Sequence, residues 1–450
     1  MPVDEGNHIF FRNVRRTHPL VVRGEGVYLY DEAGNRYLDG CAGALVANIG
    51  HGVESVARAM YEQAQTVGFT HLSRFASRPI LELGERVTGI APEGLDRLYL
   101  VSGGSEATES CLKMARQYFL ERDGSSQKHV VIARWNAYHG NTLGALSMSG
   151  TIPRRRPYTP YLLDFPHINA PYCYRCPYEA RPGRCGVPCA HELEDAINRV
   201  GAEYVSAFIA EPVVGAAAGA LVPPAEYLPV IREICDRYDV LFIADEVMSG
   251  FGRTGAHFAV DHWNVVPDMM SLAKGMGSGY APLGAVLARE GIWEAFWRGS
   301  GAFVHGHTYG GNPVACATGV AVFDYYREHG LVDNSARMGT LLMEALAPLG
   351  DNPIVGDVRG LGLMIGVELV ADRATRAPFP GGPGRMAERA TGILMDHGVV
   401  VYPGGGSVEG RAGDHFLIGP PLVIDEGEVR ELAAAVVEGL GALARAEGRA

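Results

Sequence analysis

Short apolar runs that alternate with helical stretches constrain the fold of this chain more than any other feature. They have the length and composition of buried strands and lie at residues 98–101, 130–133, 204–210, 240–244, 269–273 and 283–288. This alternation predicts an α/β fold, with a mostly parallel sheet sandwiched by helices. In such a sheet, ligands bind where the carboxyl ends of the strands meet.

Polar or aromatic residues follow five of these predicted strands. They are Ser105, Tyr138, Glu211, Asp245 and Lys274. Because the carboxyl ends of parallel strands share one edge of the sheet, we expect the five side chains to lie in one site.

Lys274 is unusual because only three residues of the chain are lysines, the others being Lys113 and Lys128. Arginine supplies the remaining positive charge, but it cannot form a Schiff base, which requires an amine that loses its proton. Lys274 is therefore the candidate nucleophile. The alternative is a lysine whose stem packs at the end of a strand while its amine reaches water.

Two further segments are suited to a planar, phosphorylated ligand. Ser102, Gly103, Gly104 and Ser105 join a strand to a helix, where N–H groups and the helix dipole favour a phosphate. A serine N-cap with an acidic first turn would explain the same residues without a ligand. Tyr138, next to His139, could stack on a planar ring or simply pack within a loop.

A heterocycle with an aldehyde and a phosphate would use all of these residues. Lys274 would bond the aldehyde, the turn at 102–105 would hold the phosphate, and Tyr138 would cover one ring face. Asp245 would keep a ring nitrogen protonated, so that the ring withdraws electrons from a substrate carbanion. The sequence therefore predicts pyridoxal 5′-phosphate as cofactor.

Composition excludes several classes of protein. A net charge of −12 without a basic block argues against a nucleic-acid or anionic-membrane partner. No apolar run approaches a membrane span or a secretion signal, and eight cysteines in 450 residues are too few for a disulfide scaffold. We expect a cytoplasmic protein.

The chain divides into three segments by pattern. Residues 1–60 carry a β-hairpin signature, 61–334 carry the alternating strands and helices, and 335–450 mix helices with strands. We predict a large cofactor-binding domain at 61–334 and a smaller α+β domain built from the N-terminal and C-terminal segments.

Four cysteines lie in a Pro- and Arg-rich insertion at residues 171–189. Their spacing is C-x2-C-x8-C-x3-C, and they are Cys173, Cys176, Cys185 and Cys189. Two close pairs suit tetrahedral zinc, but the eight-residue gap is shorter than in common zinc patterns. Free thiols, or a disulfide under some conditions, are the alternative, and we assign no metal.

Longer motifs resemble the class III aminotransferases, the ω-amino acid and acetylornithine-like branch of pyridoxal phosphate enzymes of fold type I. The resemblance extends nearly end to end and rests on residues 26–39, 48–52, 102–107, 138–140, 211–213, 243–255, 273–275 and 307–313. One departure is Met248, where many members carry glutamine.

The resemblance implies a role for each matching residue. Lys274 carries the internal aldimine and moves the substrate proton, and Asp245 pairs with the ring nitrogen. The remaining cofactor-binding residues are Val247 and Tyr138 at the ring faces, Gly104 and Ser105 at the phosphate, and His139, Glu211 and Thr308. Thr308 reaches the phosphate of the neighbouring subunit, which implies a homodimer with shared active sites.

The implied reaction moves an amino group from an ω-amino acid or amine to a keto acid, with pyruvate expected, by a ping-pong mechanism. Arg411 is the candidate for a mobile arginine that pairs with Glu211 and binds the keto acid carboxylate, although a solvated loop arginine fits equally. Substrate-pocket side chains are expected near Leu45, Phe69, Trp135 and Tyr138. An isomerase on the same fold, either an aminomutase or an amino acid racemase, is the alternative.

Overall fold

The computed structural model describes residues 8–179 and 184–449. Residues 1–7 and 450 of the predicted domains, and 180–183 of the predicted insertion, therefore lie outside the described part. Within it the strands are β1 (Val21–Glu25), β2 (Tyr28–Asp31), β3 (Arg36–Asp39), β4 (Leu95–Val101), β5 (Val130–Arg134), β6 (His167–Ile168), β7 (Val205–Ala210), β8 (Leu241–Asp245), β9 (Met269–Leu272), β10 (Gly284–Arg289), β11 (Val355–Leu361), β12 (Met364–Leu369), β13 (Val399–Val400), β14 (Tyr402–Val408) and β15 (Ala412–Ile418).

Helices alternate with these strands over most of the chain. In the described residues they are α1 (Ala42–Leu45), α2 (Glu54–Thr66), α3 (Arg78–Thr88), α4 (Gly104–Asp123), α5 (Leu143–Met148), α6 (Ile152–Arg155), α7 (Pro188–Val200), α8 (Tyr227–Arg237), α9 (Glu290–Arg298), α10 (Pro313–Glu328), α11 (Leu331–Ala345), α12 (Arg385–Asp396) and α13 (Glu426–Ala446).

The central sheet has seven strands in the order β4-β10-β9-β8-β7-β5-β6. The neighbours from β9 to β6 are parallel. Strand β10 is antiparallel to both β4 and β9, so β4 points in the same direction as β9. All six predicted strands lie in this sheet, and the predicted α/β fold class is confirmed.

Helices cover both faces of the sheet because successive residues of a buried strand point to opposite sides. Every residue of β7 and β8 is buried. Ile209 and Ile243 pack with Phe119 of α4. Phe208 and Phe242 belong to a second apolar cluster, which includes residues of α8. The two central strands are therefore buried along their whole length, and Ser206 is the one polar residue before their carboxyl ends.

The register of the parallel strands brings the candidate residues to one edge. Ala210 lies opposite Ala244 in the β7–β8 pair, and Asp245 lies opposite Ser271 in the β8–β9 pair. Glu211 follows Ala210 directly, and Lys274 lies three residues beyond Ser271. The turn after β4 reaches the same edge because β4 runs parallel in direction to β9.

Two four-stranded sheets accompany the central one. The first, β1-β2-β3-β13, joins the N-terminal hairpin to the C-terminal segment through parallel pairing of Leu38 with Val399. The second, β11-β12-β15-β14, is antiparallel and belongs to the C-terminal segment alone. The pairing supports a small domain shared by both ends, and its boundaries at 60 and 335 stay a prediction.

None of the helices within residues 8–179 and 184–449 combines the length and the hydropathy that a membrane crossing would need.

Candidate active site

Lys274 follows β9 and lines a cavity of about 170 Å³. Its φ of 43° lies in the left-handed region, which costs a residue with a side chain about 1–3 kcal/mol and is typical of functional sites. Burial lowers the pKa of the Lys274 amine to about 8, although the carboxylates of Asp245 and Glu211 act in the opposite direction. The amine therefore carries more neutral, nucleophilic character near neutral pH than an ordinary lysine.

Asp245 lies at the end of β8 and is held by two donors. Its Oδ2 is 2.6 Å from His139 Nδ1, and its Oδ1 accepts the Val247 N–H at 3.1 Å. The His139 backbone N–H donates in turn to Ser149 Oγ at 2.8 Å. These contacts fix a buried carboxylate in one orientation, as pairing with a ring nitrogen requires.

Glu211 follows β7, and backbone groups occupy both of its oxygens. Oε1 accepts the Tyr138 N–H at 2.9 Å, and Oε2 accepts the Gly215 N–H at 2.8 Å. Burial raises the pKa of Glu211, and His139 opposes that rise. Glu211 thus positions the backbone of Tyr138. We refer to His139, Glu211, Asp245 and Lys274, which all line the cavity, as its floor.

The start of α4 closes one side of the cavity. Its N-cap residue is Gly103, and no side chain caps the helix there. Ser105 Oγ instead accepts the Asn141 N–H at 3.1 Å. The serine-cap alternative is therefore not what the structure shows, and the first turn presents N–H groups in a site suited to an anion.

Close contacts around this turn leave room only for glycine. A Cβ on Gly104 would lie 2.8 Å from Val247 Cγ1, and one on Gly140, whose φ is 136°, would lie 2.6 Å from Ser105 Oγ. Val247 and Tyr138 also line the cavity. The cavity thus combines a fixed carboxylate, a lysine, an uncapped helix start and two side chains placed to face a ring. This donor set fits pyridoxal phosphate.

A second group of residues lies beside the cavity, next to the Tyr138 ring. The guanidinium carbon of Arg154, in α6, lies 4.4 Å from the centroid of the Tyr138 ring. The turn at 409–411 packs against α6 so closely that a Cβ on Gly410 would clash with Ile152. We refer to Tyr138, Arg154 and this turn as the mouth of the cavity.

Other predicted residues lie away from the cavity lining. Leu45, with a φ of 57°, is buried in an apolar cluster with Met248. Phe69 is exposed and contacts Tyr309 edge-on, with ring centroids 5.9 Å apart. Trp135 stacks on His167 at 4.5 Å.

Arg411 and Thr308 are both exposed. Arg411 lies in the turn between β14 and β15 and is not among the partners of Glu211, whose oxygens accept backbone N–H groups. Thr308 lies in the loop between α9 and α10 and does not line the cavity of its own chain. Their proposed roles stay predictions.

Sequence reasoning missed Arg154, Ala216 and Gly140. Ala216 and Gly140 line the cavity, but small residues carry no chemical signal of their own. Arg154 is the first of three consecutive arginines, and its sequence environment does not distinguish it from the next two.

The four cysteines of the insertion line one small void of about 20 Å³. None of the eight cysteines is in a disulfide. Burial, together with the neighbouring thiols, raises the pKa of Cys189 to about 12. In the part of the chain that the structure describes, no group of three or more His, Cys, Asp or Glu side chains is arranged to hold a metal ion, and the choice between free thiols and zinc stays a prediction.

Comparison with known proteins gives a consistent result. Residues 9–439 match the family described as class-III aminotransferase. The aminotransferase YodT of Bacillus subtilis is 38% identical, over 95% of this chain and 96% of that protein. The putrescine–pyruvate aminotransferase of Pseudomonas aeruginosa is 39% identical, over 92% of this chain and 88% of its own length. The crystal structure of the ω-transaminase from Pseudomonas jessenii in complex with PMP superimposes with a TM-score of 0.92 at 33% identity, covering 99% and 98% of the two chains.

Proposed function

Because the chain belongs to the class-III aminotransferases, we propose that it transfers an amino group from an ω-amino acid or amine to a keto acid, with pyruvate as the acceptor. The similar proteins support this choice, since one is a putrescine–pyruvate aminotransferase and another is an ω-transaminase. The cycle is ping-pong: the donor leaves as a carbonyl product before the keto acid enters.

The cofactor of this family is pyridoxal 5′-phosphate, which when bound withdraws electrons from the substrate carbon that loses a proton. Lys274 Nζ is the group that bonds the cofactor and moves the proton. Asp245 holds a proton at the ring nitrogen, and His139 fixes that carboxylate through its 2.6 Å contact. Without that contact only the Val247 N–H would hold the carboxylate.

The remaining residues would position the cofactor and cover its ring. Gly104 and Ser105 offer the start of α4 to the phosphate, and Tyr138 and Val247 flank the ring. Glu211 holds Tyr138 in place through the backbone N–H. The observation that carries the proposal is that Lys274 and Asp245, from neighbouring strands, line the same cavity.

An absorbance experiment tests the proposal. We expect the holoenzyme to show a cofactor band near ~420 nm that amines bleach and pyruvate restores. The Lys274→Ala variant should complete neither step. Conversion of a donor with no keto acid present would overturn the proposal and favour an isomerase, because a transaminase needs a second substrate whereas an isomerase does not.

We further propose that the active unit is a homodimer in which Thr308 serves the neighbouring subunit. Thr308 is exposed, and the exposed rings of Phe69 and Tyr309 pack together beside it. A symmetric interface over this surface would bury those rings and bring Thr308 to a partner. A cytoplasmic location is also part of the proposal, supported by cysteines that are all free.

Hybrid dimers test whether Thr308 serves the active site of the neighbouring subunit or that of its own chain. Lys274→Ala subunits are mixed with Thr308→Asp subunits, whose added charge opposes a phosphate. Shared sites would leave one intact site in each hybrid, with about half of the wild-type activity per dimer. Inactive hybrids, or a monomer by light scattering, would contradict the proposal.

A further inference from the structure

Arg154 is a cation placed beside the cavity but outside its lining. It stacks on Tyr138, whose ring lines the cavity, with 4.4 Å between the guanidinium carbon and the ring centroid. Arg154 itself is not one of the lining residues. A ligand group that reaches Arg154 must therefore extend from the floor past the Tyr138 ring.

The charge of Arg154 is not neutralised by the protein. In residues 8–179 and 184–449 it forms no ion pair, whereas Arg175 pairs with Glu368 at 2.6 Å. The neighbouring Arg155 has a different environment, because its Nη1 donates to the carbonyls of Leu146, Ser147 and Ser149 at 3.0, 2.7 and 2.7 Å. Arg155 thus supports the end of α5, while the planar fork of Arg154 keeps donors for a ligand.

The two carboxylates of the floor do not compete for this cation. Asp245 is held by His139 and Val247, and Glu211 by two backbone N–H groups. The positive charge of Arg154 nevertheless reaches the cavity, since it is among the charges that lower the pKa of Lys274. Arg12 adds a second positive charge near Tyr138. With Arg154 and Arg411 against the single carboxylate of Glu409, the mouth has a net positive charge in a chain whose net charge is −12.

We propose that Arg154 binds the carboxylate of the amino donor, and that preferred donors carry amine and carboxylate at opposite ends. The inference rests on the proposed function and names its donor class. An α-carboxylate is attached to the reacting carbon and stays beside Lys274, inside the cavity. A carboxylate several carbons away passes Tyr138 and meets the guanidinium, which binds it through paired N–H donors.

The test uses the donor half-reaction of the holoenzyme, followed by the cofactor band. Donors are ω-amino acids of four to six carbons and n-alkylamines of matching length. We expect Arg154→Gln to raise the apparent dissociation constant of the ω-amino acids roughly 10- to 100-fold and that of the alkylamines less than about twofold. Arg154→Lys keeps the charge but not the planar fork of N–H donors, so its dissociation constant for the ω-amino acids should lie between those of the wild type and Arg154→Gln.

Two matched variants control for charge and position. Arg156→Gln removes the same charge from an exposed residue two positions along and should leave both series unchanged. Arg411→Gln tests the arginine that the sequence favoured. A selective loss for ω-amino acids at Arg411 instead of Arg154 would overturn the inference, as would an equal loss for both series in Arg154→Gln. If no donor converts the cofactor in the wild type, the proposed function itself fails.

Discussion

The floor and the mouth of the cavity are built in different ways. The floor consists of residues at or shortly after the carboxyl ends of buried strands, and the register of one sheet positions Glu211, Asp245 and Lys274. The mouth combines α6 with a turn of the C-terminal sheet, segments far apart in the sequence. The difference suggests that the floor supplies the reaction and the mouth selects the donor.

Lys274→Ala tests the floor with the largest expected effect. Removing the amine should lower kcat by roughly 10⁴-fold for every donor, since both bond formation and proton transfer depend on it. Lys113→Ala is the matched control, because Lys113 is exposed on α4. Steady-state rates with ω-amino acids and alkylamines measure both. A loss confined to one donor series would contradict the division between floor and mouth.

His139→Ala tests how far the floor depends on its supporting contact. Loss of a hydrogen bond to a charged group costs about 1.5–3 kcal/mol, so we expect kcat to fall roughly 10- to 100-fold for all donors alike. The measurement is kcat with and without added imidazole, beside the melting temperature. Partial rescue by imidazole identifies the contact with Asp245, whereas a fall that only follows unfolding would contradict it.

The titration of Lys274 gives a third test of the floor. In the cofactor-free protein, acylation of Lys274 should rise with pH around a midpoint near 8, because only the neutral amine reacts. In the denatured chain the midpoint should move to about 10.4. Peptide mass spectrometry separates the three lysines readily.

The lowered pKa of Lys274 also makes the free energy of unfolding depend on pH, in a direction that can be worked out. Between the native and the unfolded pKa, the unfolded state binds the extra proton, so the contribution of Lys274 to the free energy of unfolding increases with pH over that interval. Urea titrations of the cofactor-free protein across this range check the direction. Lys274→Met should remove the increase, and its persistence in that variant would assign it to another group.

Gly410→Ala tests the mouth with the smallest expected effect. Its φ is 66°, and a Cβ there would clash with Ile152, so the turn must move away from α6. Overpacking costs about 1–3 kcal/mol, and we expect KM for ω-amino acids to rise about 3- to 10-fold with kcat nearly unchanged. Gly330→Ala is the control, because its φ is 57° and the space around it is open. Equal changes in both variants would assign the effect to backbone strain.

The residues of the floor could be predicted because the sequence pattern that identifies them is local. A buried run that ends in Asp245 or Lys274 places that residue at the carboxyl edge whatever the rest of the chain does. The same rule predicted Tyr138 and the turn at Ser105, which line the same cavity. The central sheet was predictable for the same reason, since β7 and β8 are buried throughout and apolar except for Ser206 and the terminal Asp245.

The mouth was not predictable because its contacts are tertiary. Arg154, Arg155 and Arg156 are the same residue type, so the sequence does not distinguish them. In the fold, Arg154 stacks on Tyr138, Arg155 donates to backbone carbonyls, and Arg156 is exposed to solvent. Leu45 does not line the cavity itself but packs with Met248, which does, so its place near the substrate stays a prediction. Neither feature has a sequence pattern of its own.

The pairing of β3 with β13 has a consequence for how the chain is made. A ribosome releases Leu38 about 360 residues before Val399, so the N-terminal hairpin waits for its partner strand while the residues between them are translated. The central sheet also completes late, because β4 pairs with β10 rather than with the strand that follows it. During translation these edges are exposed, and contacts between residues so distant in sequence form slowly. The nascent protein is therefore most prone to aggregation before its C-terminal segment emerges, and a C-terminal truncation should deprive the hairpin of its docking strand.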